Sequence, residues 1–297
     1  LTRSFGYCES KETLSPCLDS IIGKAGYSTK HFEGIVMRSL VRLSATLGLV
    51  GSVVLGALPG LETLRALALP EQQVLEKLGA VPVFTITDPQ GSPLVASVNE
   101  GQKKTAVAGV FISQQDAQTF IERLKKQNPQ LASTVKVVPV SLGDVYKLDQ
   151  ANASKPDGLD FAFVPVQQQV DSAKAILSQS GKPVQNFDGV PLFVARGGKD
   201  KGYLTLQRDN KPIIPFFFSK EELQGMLDRF KQQQPALAST VEIQVVNLEG
   251  VIETLRTSNN QQLNSIVLVP PKASVDFVRS RGPAPANSQQ QRPQQRR

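Results

Sequence analysis

Leu131-Ala-Ser-Thr-Val135 returns as Leu237-Ala-Ser-Thr-Val241, and the spacing of 106 between the copies holds well beyond these five residues. Laying Ser113–Tyr146 over Ser219–Ile252 at that spacing gives 14 identities in 34 positions. Most other pairs conserve chemistry, as in Ile121 with Leu227, Leu124 with Phe230 and Glu122 with Asp228. Self-similarity at a fixed period marks a duplicated fold. The five-residue stretch itself follows a proline and precedes a β-like run in both copies, so it reads as a loop leading into a strand.

Upstream of that loop each copy carries its clearest helix. Ser113-Gln-Gln-Asp116 and Ser219-Lys-Glu-Glu222 place a serine to cap the N3 amide and an acid in the first turn, where the helix dipole favours it. Behind them Ala117, Phe120, Ile121 and Leu124, and Leu223, Met226, Leu227 and Phe230, fall at helical spacing and form one core-facing stripe per copy. Pro129 and Pro235 are expected to close the two helices.

Further out, Val81-Pro-Val-Phe-Thr-Ile86 corresponds to Val190-Pro-Leu-Phe-Val-Ala195, each run opening an antiparallel meander. Turns are expected at Asp88–Gly91, Gly197–Asp200 and Arg208–Lys211. Downstream, Val135–Val140 and Val241–Val246 read as strands followed by short helices. Phe161-Ala-Phe-Val-Pro-Val166 then pairs with Ile266-Val-Leu-Val-Pro270 at a spacing of 105, and each leads into a helical segment, Gln167–Gln179 or Lys272–Arg279. The expected order per copy is three strands, helix, strand, short helix, strand, helix, with Glu71–Leu78 as an extra leading helix. This is an α+β fold: an internally duplicated mixed and antiparallel sheet with helices, in two pseudo-twofold-related halves at about 69–180 and 181–278.

The flanks read differently. Met37-Arg-Ser-Leu-Val-Arg42, the uncharged Leu43–Pro59 and Ala66-Leu67-Ala68 follow the n-region, h-region and small-x-small order of a secretory signal peptide over 37–68. Seventeen residues with three glycines fall short of a membrane span of about 20. Residues 1–36 fit no signal scheme and are expected to be an upstream over-extension. The Arg- and Gln-rich tail, 279–297, has a composition that predicts disorder.

Charge and reactive residues narrow the function. Of 33 basic and 26 acidic groups, residues 1–68 hold seven and five, and the tail holds five arginines and no acid. That leaves 21 of each sign in 69–278, so the folded part is neutral and offers no electrostatic footing for nucleic acid. Both cysteines (Cys8, Cys17) and the single histidine (His31) precede residue 37, and Met226 is the only methionine after Leu69. Thiol chemistry, a thiolate–imidazole zinc site, a His-dependent triad and a disulfide framework are excluded from 69–297.

The remaining constellations are weak. Arg196-Gly-Gly-Lys-Asp200 lacks phosphate-loop spacing and lies between strands, so it reads as a hairpin turn. Ser172 with Lys174 and Ser180 with Lys182 have no oxyanion donor to work with. Asn152-Ala-Ser154 reads as a polar loop, and Asp157, Asp160, Glu249 and Glu253 are scattered rather than paired. No catalytic residue, cofactor or metal ligand is expected, and the chain reads as a binding protein rather than an enzyme. Aromatic and apolar residues on successive strand positions imply strands buried on both faces. Phe161, Phe163, Phe193, Phe216 and Phe218 are the candidates for an apolar concavity at each pseudo-equivalent site, suited to extended hydrophobic polypeptide.

Val190-Pro-Leu-Phe-Val-Ala195, Phe216-Phe-Phe-Ser-Lys-Glu-Glu-Leu223 and Pro235-Ala-Leu-Ala-Ser-Thr-Val241 resemble the twenty-two-kilodalton component of the chloroplast inner-envelope protein translocon, in its cyanobacterial branch. The resemblance covers roughly 69–278, internal duplication included. It implies a soluble periplasmic chaperone-like factor, present in the thylakoid lumen as well. Such a factor escorts unfolded outer-membrane proteins or preproteins to a β-barrel assembly or translocation machinery, without ATP. Its motifs are structural and carry no catalytic residue. The alternative reading is a carrier of a small apolar ligand or lipid, and the arginine tail adds an expected weak contact with anionic lipid.

Overall fold

The computed structural model describes residues 69–100, 103–155, 158–198, 201–235, 240–258 and 260–281. The expected over-extension, signal peptide and nearly all of the tail therefore lie outside the described residues. The leading helix α1 (Glu71–Gly79) is followed by β1 (Pro82–Thr87), β2 (Val95–Glu100) and β3 (Lys103–Phe111). Then come α2 (Gln114–Gln127), α3 (Pro129–Thr134), β4 (Lys136–Ser141), α4 (Leu142–Asn152), β5 (Leu159–Val164) and α5 (Gln167–Gln179). The second copy runs β6 (Pro191–Gly197), β7 (Gly202–Tyr203), β8 (Leu206–Arg208), β9 (Lys211–Phe217) and α6 (Lys220–Gln233). It ends with β10 (Glu242–Asn247), α7 (Leu248–Thr257), a 3-10 turn (Gln261–Ser265), β11 (Ile266–Val269) and α8 (Lys272–Ser280).

Each copy builds one mixed sheet with the same pairing. β1 lies between β4 and β3, antiparallel to both, and β5 runs parallel to β3. β6 likewise lies between β10 and β9, and β11 runs parallel to β9. Equivalent residues meet: Phe84 faces Phe111 across the first sheet and Phe193 faces Phe217 across the second. Equivalent backbone bonds form too, with Leu142 N–H donating to the Val81 carbonyl and Leu248 N–H to that of Val190, both at 2.8 Å. The duplication read from the sequence is a duplication of the structure.

Local chemistry sets the helix starts as expected. Asp116 N–H donates to Ser113 Oγ at 3.4 Å and Glu222 N–H to Ser219 Oγ at 3.2 Å. The Leu-Ala-Ser-Thr stretch departs from its expected loop: in the first copy it forms the body of α3. Asn128 Oδ1 accepts from Leu131 N–H at 3.0 Å, and Pro129 occupies the first turn, where its missing N–H costs nothing. One proline thus closes α2 and opens α3. Residues 236–239 of the second copy lie outside the described residues. The stretch from Gly202 to Arg208 changes partner along its length: Leu204 N–H still bonds Ala195 O at 2.9 Å in register with β6, and from Leu206 the chain pairs with β9. Asp209 (φ 51) and Asn210 (φ 58) then form the left-handed pair of the two-residue β8–β9 hairpin.

Strand alternation divides the interior into three clusters. Val81, Val83, Val110 and Ile112 of the first sheet and Val190, Leu192, Val194, Ile214, Phe216 and Phe218 of the second share one central core with α1, α4 and α7. The opposite faces pack outward. Phe84, Ile86 and Phe111 meet Ala117, Phe120 and Leu124 of α2, while Phe193, Ala195 and Phe217 meet Leu223 of α6.

The second helix on each outer face comes from the other copy. Ala173 and Ile176 of α5 pack on the second sheet, and Phe277 of α8 packs on the first. Buried Ser274 of α8 donates its hydroxyl to the Ile112 carbonyl at 3.1 Å, and Gln169 of α5 accepts the Lys220 N–H at 2.9 Å. The sequence boundary near 180 is therefore not a spatial one: each copy surrenders its last helix to its sibling.

Candidate polypeptide-binding surface

Three of the five aromatic candidates are interior. Phe193, Phe216 and Phe218 are 0%, 3% and 2% exposed, so they cannot line a surface concavity. Phe161 and Phe163 are half-buried against the central core. The physical reason is the layering. Each sheet gives one face to the shared core, which takes Phe216 and Phe218, and the other to a helix pair, which takes Phe193.

The apolar surface lies instead where the outer layers are incomplete, and the two outer faces differ. On the first, Phe277 of α8 meets Phe84 edge-on at 5.4 Å, and Phe111 meets Phe120 at 5.7 Å. The Arg281 guanidinium lies 4.4 Å from the Phe277 ring centre and covers it from outside. On the second, the position equivalent to Phe277 is Ser172, taking Asp171 as the counterpart of Asp276. Buried Phe120 and Leu124 of α2 are replaced on α6 by half-buried Met226 and Phe230. Around them Ile176, Phe187, Leu204, Leu227, Val241, Ile243 and Val245 are also only partly covered. Ile121, Leu131, Val135 and Val137 are partly covered on the first face as well, but the second adds Met226 and Phe230 to a partly covered apolar field between α5, α6 and β10. The two outer faces are therefore not equivalent, and the five expected aromatics line neither of them as a concavity.

The other sequence candidates have structural roles. Arg196 stacks over the Tyr203 ring at 5.3 Å and donates to Lys201 O and Gln244 Oε1. Ser172 and Lys174 lie within α5, and Ser180 donates its hydroxyl to the Ile176 carbonyl. Asn152 bonds Leu148 O at the end of α4, Asp160 is exposed, and Glu253 is paired with Arg256 at 2.8 Å. Asp157 lies outside the described residues. No group of three or more His, Cys, Asp or Glu suited to a metal occurs among the described residues, and no described helix is long and apolar enough to cross a membrane.

Burial raises the pKa of Asp116 and Asp149, and that of Glu249 to about 7. The Glu249 carboxyl is tucked under Gly189 and accepts the Val190 N–H at 3.2 Å. Backbone hydrogen bonds oppose the rise in its pKa and Asp188 adds to it. In the first copy the same position is Gly143, against which Leu75 O and Gly79 N of α1 pack so closely that an added Cβ would lie 3.0 Å from each. There Val81 N–H is satisfied by Leu78 O instead. The second copy has no counterpart of α1, and Glu249 supplies the missing acceptor.

These features belong to a known architecture. The model of the Tic22-like family matches residues 31–279. Among curated proteins the chain is 28% identical over 200 residues to "Protein TIC 22-like, chloroplastic" of Arabidopsis thaliana, covering 66% of this chain and 59% of that protein's length. It is 26% identical over 207 residues to "Protein TIC 22, chloroplastic" of Pisum sativum, covering 69% and 75%. Among solved structures, Anabaena Tic22, described as a protein-transport protein, superposes with a TM-score of 0.66 at 35% identity over 73% of this chain and 100% of that one. Tic22 from Plasmodium falciparum shares the fold at 24% identity, with a TM-score of 0.54 over 69% and 95%. With the family model matching residues 31–279 and the Anabaena structure matching 73% of the chain, the chain belongs to the Tic22-like family.

Proposed function

We propose that this protein is a chaperone-like protein-transport factor that escorts unfolded outer-membrane or translocating polypeptides through the space between two membranes. The reading rests on one observation, the partly covered apolar field of the second outer face. Met226 and Phe230 there are only partly covered where the first face has buried Phe120 and Leu124, and Leu227, Ile243 and Val245 beside them are partly covered too, as are their first-face counterparts. A partly covered apolar surface suits extended hydrophobic segments, and the protein-transport description of the Anabaena relative supports a polypeptide ligand. Holding would need no nucleotide and no chemistry. Affinity would come from apolar area removed from water, at about 25 cal/mol per Å2 before ordering costs.

The test is direct. A urea-unfolded outer-membrane β-barrel precursor is diluted into the protein, and aggregation is followed by light scattering. The wild type is expected to suppress aggregation, and the double variant Met226→Lys, Leu227→Lys to lose suppression while keeping its circular dichroism spectrum. Absence of both suppression and binding by the wild type would sink the reading. Lipid found by mass spectrometry in the purified protein, displaced by neither variant nor precursor, would point to the lipid-carrier alternative.

A further inference from the structure

The two copies differ at their outer sheet edges, and the difference can be read bond by bond. Leu142 N–H donates to Val81 O, so the pair 81/142 is hydrogen-bonded and every second pair along the β1–β4 register is hydrogen-bonded too. Val137 and Pro139 fall at the intervening positions, where backbone groups turn away from β1. Leu248 N–H donates to Val190 O in the same way, so Ile243 and Val245 of β10 turn their N–H and C=O groups away from β6. Position 139 of the first copy corresponds to position 245 of the second at the spacing of 106. The first edge therefore has no N–H at its centre, because a proline stands there, and proline at an outward edge position blocks strand addition. The second edge keeps Val245 N–H. Neither Ile243 nor Val245 makes an outward hydrogen bond among the described residues.

We infer that the free edge of β10 takes an extended segment of a client polypeptide by antiparallel or parallel strand addition. This deepens, and rests on, the escort role proposed above. Outward N–H and C=O groups at alternate residues are complementary only to an extended backbone, and they recognise it whatever its side chains. The edge is also continuous with the apolar field. Val241, Ile243 and Val245 pack on the same outer cluster as Met226 and Leu227, so a client resting apolar side chains there has its backbone brought against β10. A client with apolar residues at every second position, as in a strand of a β-barrel, places all of them on that face. A second copy fits less well. Antiparallel self-pairing about Val245 would set Glu242 of each copy level with Leu248 of the other, beside Glu249 and its neighbour Asp188, acid near acid at both ends.

Val245→Pro tests the edge, since it copies into the second sheet what the first already contains at Pro139 and leaves the β6 ladder bonds in place. Binding is read by fluorescence with two probes: the urea-unfolded barrel precursor, and a synthetic peptide of alternating valine and threonine with or without N-methyl groups on every second amide. Val245→Pro is expected to bind both probes on the order of tenfold more weakly than wild type, with an unchanged circular dichroism spectrum. The N-methylated peptide is expected not to bind the wild type. Hydrogen exchange of the wild type supplies a readout that needs no variant: the Ile243 and Val245 amides should become protected when precursor is added. Wild-type binding with those two amides unprotected would overturn edge pairing while leaving the escort role standing; no wild-type binding at all would overturn the escort role itself. Protection of the same amides without a client, together with a dimer in sedimentation, would assign the edge to a second copy and overturn the client proposal.

Discussion

Glu249 shows how a single position absorbs a broken symmetry. Its counterpart Gly143 lets α1 press against α4, whereas Glu249 replaces an absent helix by accepting the Val190 N–H. The cost is a carboxyl whose pKa is raised by burial from the ordinary glutamate value of 4.5 to about 7. Between those two values the folded protein holds a proton that the unfolded chain releases. Stability is therefore greatest at and below the lower value and falls as pH rises through the upper one, by up to roughly 3 kcal/mol. Urea unfolding at about pH 5 and about pH 8 should show this loss, and Glu249→Gln, which keeps an oxygen acceptor for Val190, should remove most of it. An equal pH slope in both proteins would refute the assignment. Gly189 belongs to the same arrangement: its φ is 81, and a Cβ there would overlap the Glu249 carboxyl. Gly189→Ala is expected to destabilise the fold by about 1–3 kcal/mol, measured by the same titration.

At the scale of elements, much was legible. Ser113 and Ser219 announce their helices by a cap and a first-turn acid, and both caps form. Apolar runs such as Phe216-Phe-Phe218 announce strands buried on both faces, and Phe217 does point outward while its neighbours point to the central core. The exchange of α5 and α8 was not legible, because periodicity tells a helix which face to bury and not which sheet will bury it. The same limit hid the proposed surface. Phe193, Phe216 and Phe218 look like surface candidates by composition, but alternation places them inside. The signal in the sequence for the proposed surface is the set of mismatches within the repeat: Phe120 against Met226, Leu124 against Phe230, Phe277 against Ser172. Those mismatches give a prediction. Ser172→Phe should plug the second face as Phe277 plugs the first, leaving the melting temperature unchanged or higher and reducing suppression of precursor aggregation. Suppression equal to wild type in a folded Ser172→Phe protein would place the client elsewhere.

At the scale of the whole molecule, the exchanged helices tie the copies into one cooperative unit. Strands from both sheets fill the central core, with Val81, Val83, Leu192 and Phe216 in one cluster, so neither sheet can lose its partner without exposing that face. Each outer face also depends on the other copy, through Ala173 and Ile176 on one side and Phe277 on the other. The N-termini of α5, α6 and α8 are stitched together at their meeting point. Gln169 donates to Glu221 at 2.7 Å, and the Lys272 N–H donates to Glu222 at 2.8 Å. A half of about 100 residues makes only a modest core even when complete, and here neither half is complete. Residues 69–180 and 181–281 expressed apart should therefore each lack the sharp amide dispersion of a folded domain, and mixing them should restore it, because every interface between them is non-covalent. The intact chain should unfold in a single calorimetric transition whose van't Hoff and calorimetric enthalpies agree. Two separated transitions, or a folded isolated half, would mean that the exchanged helices decorate two independent domains; a single transition means that the second outer face draws on the stability of both copies.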